Sequence, residues 1–536
     1  MTTDIGGRRS RIQVKMDKGP PDPNFVDPGS VDRSSVGPIS VDPSSVGRNS
    51  VFPTGFVWGV ATSAHQVEGG NLNNQWAAWE QRGRIKSKDN VGQACDWWLN
   101  AEQDFDLAKS LGVNALRLSV EWSRIEPQEG VWDESALARY REMLKALHAR
   151  GMRPFVTLHH FTNPQWFEEK QAFANPDSVR LFQRFTQRVV AALGDLCHDW
   201  ATFNEPNVYT SLGYFLGEFP PGKKGRFIQA AHVTRNLCLA HAAAYRTIHS
   251  LQSNANVGWA QHYVVFKPRR PESALDRWLS EFIDRRFNDN FAEGIRSGRA
   301  PFPLNKFGFA LPEVKGTCDY VGINYYSRLR VGFEPRSPKT LFFQVTVPPH
   351  KPQGDSGIEV PYGEVYPEGL RRAVERFADF KKPIYILENG VPDREDRIRP
   401  WAIESIGEQM RGLLAEGVDL RGYFHWSLAD NFEWNEGWHL RFGLYDLDPL
   451  TQIRTPRASA QHYARLIRES LGQVGAASAG RPNEIAAETL ASEILVSEAA
   501  GTRQNGAHLN KNTNQTSGNA ELAGGMVAEN ESGFRK

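Results

Sequence analysis

Two short segments carry residues suited to acid–base chemistry, Asn204-Glu205-Pro206 and Glu388-Asn389-Gly390. Each glutamate closes an apolar, strand-like run, which begins at Asp199 in one case and at Pro383 in the other. Proline stops a strand ladder and glycine breaks it, so a carboxylate just before either can be held at the end of an element. Two carboxyl groups flanking one acetal bond can divide its cleavage, one protonating the leaving oxygen while the other attacks the carbon. At about 5 Å apart they retain configuration, and at roughly 6.5–9.5 Å they invert it. Taken alone, Asn-Glu-Pro reads first as a helix-starting turn with a solvated carboxylate. The pair acquires meaning only if the chain brings the two glutamates together.

The elements between them repeat a simple cycle. Apolar runs at 56–64, 115–120, 153–158, 199–203, 256–261, 320–326, 383–387 and 420–426 read as strands. Helical periodicity follows at 97–111, 135–150, 178–198, 228–249, 273–296, 367–380, 399–415 and 459–469, and Gly112 and Gly151 close the first two helices. Strands suited to burial on both faces, each followed by a covering helix, give the α/β class and a (β/α)8 TIM barrel. The alternative, a doubly wound open sheet, is weakened because no Gly-x-Gly-x-x-Gly or Walker-type loop is present. His65 to Gly70 reads as a polar turn, and the Pro/Gly-rich excursion from Arg330 to Tyr366 as an active-site rim.

In such a barrel the C-terminal strand ends ring one mouth. The polar residues that fall there are Gln66, Arg117, His159 or His160, Asn204, Glu205, Asn324, Tyr326, Glu388, Asn389, Trp426 and the later pair Glu433-Trp434. Glu205 ends the fourth strand and Glu388 the seventh, three apart in a ring of eight, so they can face each other across the mouth. Arg117 is placed to keep one of them ionised. Amides, imidazoles and carboxylates suit sugar hydroxyls, and indole faces suit a pyranose ring.

Composition bounds the rest. All 15 tryptophans lie between Trp58 and Trp438, whereas residues 1–51 and 471–536 hold almost no aromatic side chains. The expected organisation is therefore a Pro/Gly/Ser-rich disordered arm at 1–51 with Val-Asp-Pro-Ser repeats, one catalytic barrel at 52–470, and a mostly disordered polar tail at 471–536. Sixty-three basic against 62 acidic side chains leave a formal net charge of +1, which favours neither nucleic acid nor an anionic membrane. No run of about 18 apolar residues occurs. Cys95, Cys197, Cys238 and Cys318 lack metal-ligand spacing and read as buried small hydrophobes in a reducing, cytoplasmic setting. The oligomeric state is not readable.

With these residues placed, the chain resembles glycoside hydrolase family 1 over about Phe52 to Glu469. Thr202-Phe203-Asn204-Glu205-Pro206 is similar to its acid/base motif, and Ile386-Leu387-Glu388-Asn389-Gly390 to its nucleophile motif. The segments 61–69, 118–125, 157–161, 322–326, 430–434 and 441–443 match further motifs in the same order. The resemblance implies a retaining, exo-acting β-glycosidase with Glu205 as general acid/base and Glu388 as nucleophile. Gln66, His160, Asn204, Glu433 and Trp434 would bind hydroxyls of the non-reducing sugar, Trp426 would stack beneath it, and Arg117, Asn324 and Tyr326 would support the nucleophile. The implied partner is a β-glucoside or a related oligosaccharide or aryl glycoside, with no metal and no organic cofactor.

Two departures bear on the site. Leu387 stands where a small polar residue is common, and strand alternation turns it to the face opposite Glu388. Thr162-Asn163 stands where Asp-Leu is common, which reshapes the rim. Glu433-Trp434-Asn435 replaces the Ser and Lys/Tyr clamp of relatives acting on 6-phosphorylated sugars, and a carboxylate there would repel a phosphate dianion. The expected activity is that of a β-glucosidase with β-galactosidase and β-fucosidase side reactions. The rivals are transglycosylation at the same site and a carbohydrate-binding barrel without catalysis. Retention of both glutamates argues against the last.

Overall fold

The computed structural model describes residues 52–300, 308–336, 342–346 and 362–472. Among these residues eight parallel strands alternate with helices: β1 (Val57–Ala61), β2 (Ala115–Ser119), β3 (Arg153–His159), β4 (Asp199–Asn204), β5 (Asn256–Pro268), β6 (Val321–Phe333), β7 (Ile384–Asn389) and β8 (Leu420–His425). Each pairs with the next in chain order and β8 pairs in parallel with β1, so the sheet closes into a (β/α)8 barrel. The covering helices are α1 (Trp97–Ser110), α2 (Glu134–Ala149), α3 (Ser178–Leu193), α4 (Phe227–Leu251), α5 (Ala274–Asn288), α6 (Gly369–Phe377), α7 (Arg399–Ala415) and α8 (Ala458–Ser470). Gly112 and Gly151 follow α1 and α2 at φ of 86° and 69°, the left-handed conformation that ends a helix at little cost in glycine. No helix among the described residues is long and apolar enough to cross a membrane.

Side chains alternate across the sheet, and the two faces make different layers. Outward residues such as Trp58, Leu116, Val156, Trp200, Val257 and Ile386 join the helices in the main core. Inward residues, including Ala115, Phe155, Tyr320, Tyr385 and Phe424, fill the barrel, with the rings of Phe155 and Phe424 at 4.8 Å and those of Tyr320 and Tyr385 at 5.3 Å. Large side chains fit there because others are missing. A Cβ on Gly59 would stand 2.3 Å from the Phe424 ring.

The register slips at several places in the barrel, and two of the slips lie beside the candidate glutamates. β4 meets β5 in register up to Ala201↔Gly258, but Asn204 then faces Ala260, so β4 carries one extra residue. Thr202 and Phe203 consequently both point to the helical layer, where Thr202 meets His241 at 2.7 Å and Phe203 stacks on Phe182 at 4.6 Å. β7 does the same against β6, passing from Ile386↔Ile323 to Glu388↔Asn324. Bulges of this kind re-aim a side chain at a barrel rim. They also correct the placement of Leu387. It does not lie opposite Glu388; it belongs to the barrel interior and contacts the space above Gly322.

Other expectations are refined. His65 to Gly70 is no simple turn, since Ala64–Val67 form a buried helical turn. The helix expected over 273–296 is two, α5 and Asn290–Ser297, because the Asn288 amide turns inward and bonds both N–H and C=O of Val264 at 3.0 and 2.9 Å. β5 and β6 run on past the barrel as a ribbon to Pro268 and Phe333, and Phe343–Thr346 pairs antiparallel with β6. The arm at 1–51 lies outside the described residues, as do the tail beyond Gly472 and parts of the 330–366 excursion. The filled interior gives a test: Gly59→Ala is expected to cost about 1–3 kcal/mol through overpacking. Thermal melting should show a lowered Tm, largely restored when Phe424→Leu makes room.

Candidate active site

Glu205 follows the β4 bulge in a left-handed conformation (φ 47°, ψ 57°) and caps the helix Pro206–Thr210. Its N–H bonds Ala260 O at 2.8 Å, which pins it against β5. Two side chains meet its Oε1, the amide of Asn324 (Nδ2, 2.8 Å) and the imidazole of His262 (Nδ1, 2.9 Å). Glu388, after the β7 bulge, is held differently. Arg117 Nη1 pairs with its Oε1, and the Tyr326 hydroxyl donates to Oε2 at 2.7 Å. The Arg117 side chain is fully buried and spends its remaining donors on Thr157 Oγ1 (3.1 Å), Leu387 O (3.4 Å) and Asn204 Oδ1 (2.6 Å).

Those contacts fix atoms that coordinates alone leave ambiguous. A guanidinium only donates, so the Asn204 atom facing it is the carbonyl oxygen. That oxygen also accepts from Asn324 Nδ2 at 3.0 Å, and the Asn204 amide nitrogen therefore donates to His160 Nε2 at 2.9 Å. His160 is thus the Nδ1–H tautomer, and burial, with Arg117 nearby, keeps it neutral by depressing its pKa.

Both carboxylates open on one cavity of about 110 Å³ at the C-terminal mouth of the barrel. Its wall includes His160, Asn204, Tyr326, Trp426, Glu433 and Trp434, all expected there. Three other expected residues stand behind the wall. Arg117 backs Glu388, Asn324 reaches Glu205 in place of Glu388, and Gln66 serves the loop after β8. Gln66 Nε2, with two N–H groups, lies within hydrogen-bond reach of three acceptors, Phe432 O (2.8 Å), Asn431 Oδ1 (3.0 Å) and Glu433 Oε2 (3.2 Å), while Ser63 Oγ donates to its Oε1 (2.7 Å). That loop is tied down by Asp430, which accepts from Arg457 (2.8 Å) and from Gly443 N (2.8 Å). Trp434 lies between the rings of His65 and His160, stacked at 5.7 and 5.8 Å. His159 faces the helical layer, bonded to Asn163 at 3.0 Å, and is structural.

Burial dominates the electrostatics. It raises Glu388 to about 7; Arg117 opposes the rise, Glu205 adds to it, and the Tyr326 hydrogen bond opposes it. Glu433 rises to about 8 through burial, then through repulsion by Glu388 and Glu205. Among the described residues no lysine or arginine lines the cavity.

The family model "Glycosyl hydrolase family 1" matches residues 48–471. The chain belongs to that family. It is 31% identical to a β-galactosidase of Sulfolobus acidocaldarius over 486 residues, 78% of this chain and 95% of the relative. Among solved structures, a β-glycosidase from Pyrococcus horikoshii superposes with a TM-score of 0.71 at 35% identity, covering 80% of this chain and 98% of that one. A rice β-glucosidase mutant in covalent complex with Glc gives a TM-score of 0.70 at 28% identity, covering 78% and 98%.

Several side chains of this glycoside hydrolase's site escaped the sequence reading, Glu218, Phe219 and Glu436 of the cavity wall among them, and two of the others bear directly on the glutamates and their partners. His262 follows Gln261, the last residue of the run taken as the fifth strand, and only the onward course of β5 shows it. Tyr362 sits in the Pro/Gly-rich excursion, yet lines the cavity and packs edge-on against Tyr326 at 5.3 Å. Because Arg117 holds the Glu388 pKa down, Arg117→Leu should raise it further above about 7. A group needed in its ionised form gives activity that grows as pH rises through its pKa. The acid limb of the kcat/KM profile on an aryl β-glycoside should therefore move to higher pH; an unmoved limb would refute the coupling.

Proposed function

We propose that this family 1 enzyme cleaves terminal, non-reducing, unphosphorylated β-D-glucosides with retention, accepting β-galactosides and β-fucosides less well. The observation that carries the reading is the unequal treatment of two carboxylates on one cavity. Both Glu388 oxygens are engaged by donors, Arg117 and Tyr326, which favours a carboxylate poised to attack. The two polar side chains that reach Glu205 both meet Oε1 and leave Oε2 to the cavity, which suits a group that carries a proton there. The rice relative's covalent complex with Glc supports a covalent intermediate.

In the first step a Glu388 oxygen bonds the anomeric carbon while the carbon–oxygen bond to the aglycone breaks. The electron pair leaves with the aglycone oxygen, which takes the Glu205 proton. In the second step water attacks the same carbon, Glu205 takes the water proton, and Glu388 leaves as carboxylate. His160, Asn204, Glu433 and Trp434, which line the cavity, are assigned to the sugar hydroxyls, with Gln66 orienting Glu433 and Trp426 forming an apolar face. The four unpaired cysteines are all buried, which suits a reducing compartment, and we assign the enzyme to the cytoplasm.

A panel of nitrophenyl β-glycosides tests the sugar assignment: glucoside should turn over fastest, and a 6-phosphoglucoside should fail. Glu388→Gly is expected to keep the far-ultraviolet dichroism of the parent and to lose hydrolysis of every member. Parental turnover in that variant would sink the nucleophile role, and no turnover by the parent would favour a binding protein.

A further inference from the structure

His262 lies beyond the fifth apolar run and belongs to none of the matched motifs, yet its ring reaches Glu205. Its position is over-determined. Asn207 Nδ2 bonds the His262 carbonyl at 2.9 Å and the Phe287 carbonyl at 3.2 Å. The ring stacks on Tyr326 at 5.8 Å and 22°, and Phe287 meets it edge-on at 5.8 Å and 90°. Two residues on, the Asn288 amide clamps both polar backbone groups of Val264. An imidazole held this firmly, with Nδ1 2.9 Å from Glu205 Oε1, is built to direct that carboxyl group.

The direction follows from donors and acceptors. Arg117 forces Asn204 Oδ1 toward itself, Asn204 Oδ1 draws the Asn324 amide nitrogen, and that nitrogen donates to Glu205 Oε1. Oε1 is therefore already an acceptor, the role a carbonyl oxygen fills better than a hydroxyl does. The geometry points to His262 as a positioning residue whose Nδ1–H donates a second hydrogen bond to Oε1, so that the catalytic proton of Glu205 resides on Oε2. Nδ1 keeps its proton throughout. In the first step the Oε2 proton passes to the aglycone oxygen as that oxygen takes the electron pair of the breaking bond. In the second, Oε2 receives a proton from the attacking water. Without the His262 donor, Oε1–H becomes an available state in which the proton is turned away from the aglycone.

This inference rests on Glu205 being the general acid, and one experiment separates the two claims. The kcat/KM values of parent, His262→Phe, His262→Asn and Glu205→Gln would be measured on two aryl β-glycosides of the sugar the panel selects. One has a dinitrophenyl leaving group that needs no protonation, the other a plain phenyl group that does. His262→Phe should lose between about 10- and 100-fold on the phenyl glycoside, part of the 10²–10⁴ that acid assistance supplies, and less than about 3-fold on the dinitrophenyl glycoside. His262→Asn, which restores an N–H donor, should recover most of the loss. Equal losses on both substrates, no loss on either, or an Asn variant no better than Phe would each overturn the role. If Glu205→Gln itself shows no dependence on the leaving group, the acid assignment fails. If Glu205→Gln shows it and His262→Phe does not, only the His262 inference fails.

Discussion

The site depends on one buried cation. Arg117, fully enclosed within the barrel, joins β2 to β3, β4 and β7 through Thr157, Asn204, Leu387 and Glu388. A guanidinium taken out of water is tolerable only when its donors are satisfied, and loss of a partner in such a pair costs about 3–5 kcal/mol. The carboxylate of Glu388 is thus as much a condition of the barrel interior as a reactive group. The same cation sets the orientation of Asn204, and through it that of Asn324 and the tautomer of His160. A single donor-only group dictates which atom each neighbour presents to the cavity.

The second constraint is backbone register. A strand of strict period two would turn Thr202, Asn204 and Pro206 to one face, and Ile386 and Glu388 to one face. The extra residue in β4 and the extra residue in β7 cancel that rule just where each strand reaches the mouth. Both glutamates then face the same cavity, and Leu387 remains inside with Tyr385. The backbone is held in costly conformations nearby: Phe161, Glu205 and Trp434 all line the cavity with φ of 67°, 47° and 46°. Each such residue costs on the order of 1–3 kcal/mol, which the packed aromatic wall must offset.

Burial supplies the chemistry that the residue types only permit. Glu205, Glu388 and Glu433, three of the five glutamates that line a small cavity, repel one another, and burial strips Glu388 and Glu433 of hydration, so these two hold their protons toward neutral pH. Arg117 and Tyr326 pull Glu388 back toward the ionised form, whereas only the Gln66 hydrogen bond does so for Glu433, whose charged neighbours Glu388, Glu205 and Glu436 are all acidic. Unequal environments give chemically identical side chains unequal tasks.

Much of this was legible in the chain alone. Apolar runs of strand length followed by helical periodicity specify the barrel, because both signals are local and repeat eight times. The positions of Glu205 and Glu388 at strand ends follow from the residues that terminate those strands, and ordered motifs carry the family. Tertiary structure decided what depends on contacts between distant strands. Register slips reversed the expected face of Leu387, the donor-only character of Arg117 moved Asn324 to Glu205, and Gln66 turned out to serve Glu433 from behind the wall. His262 and Tyr362 stayed hidden because the β5 ribbon and the long excursion carry no periodic signal at those positions. Periodicity encodes which face a residue prefers; which oxygen it meets is fixed only when the ring closes.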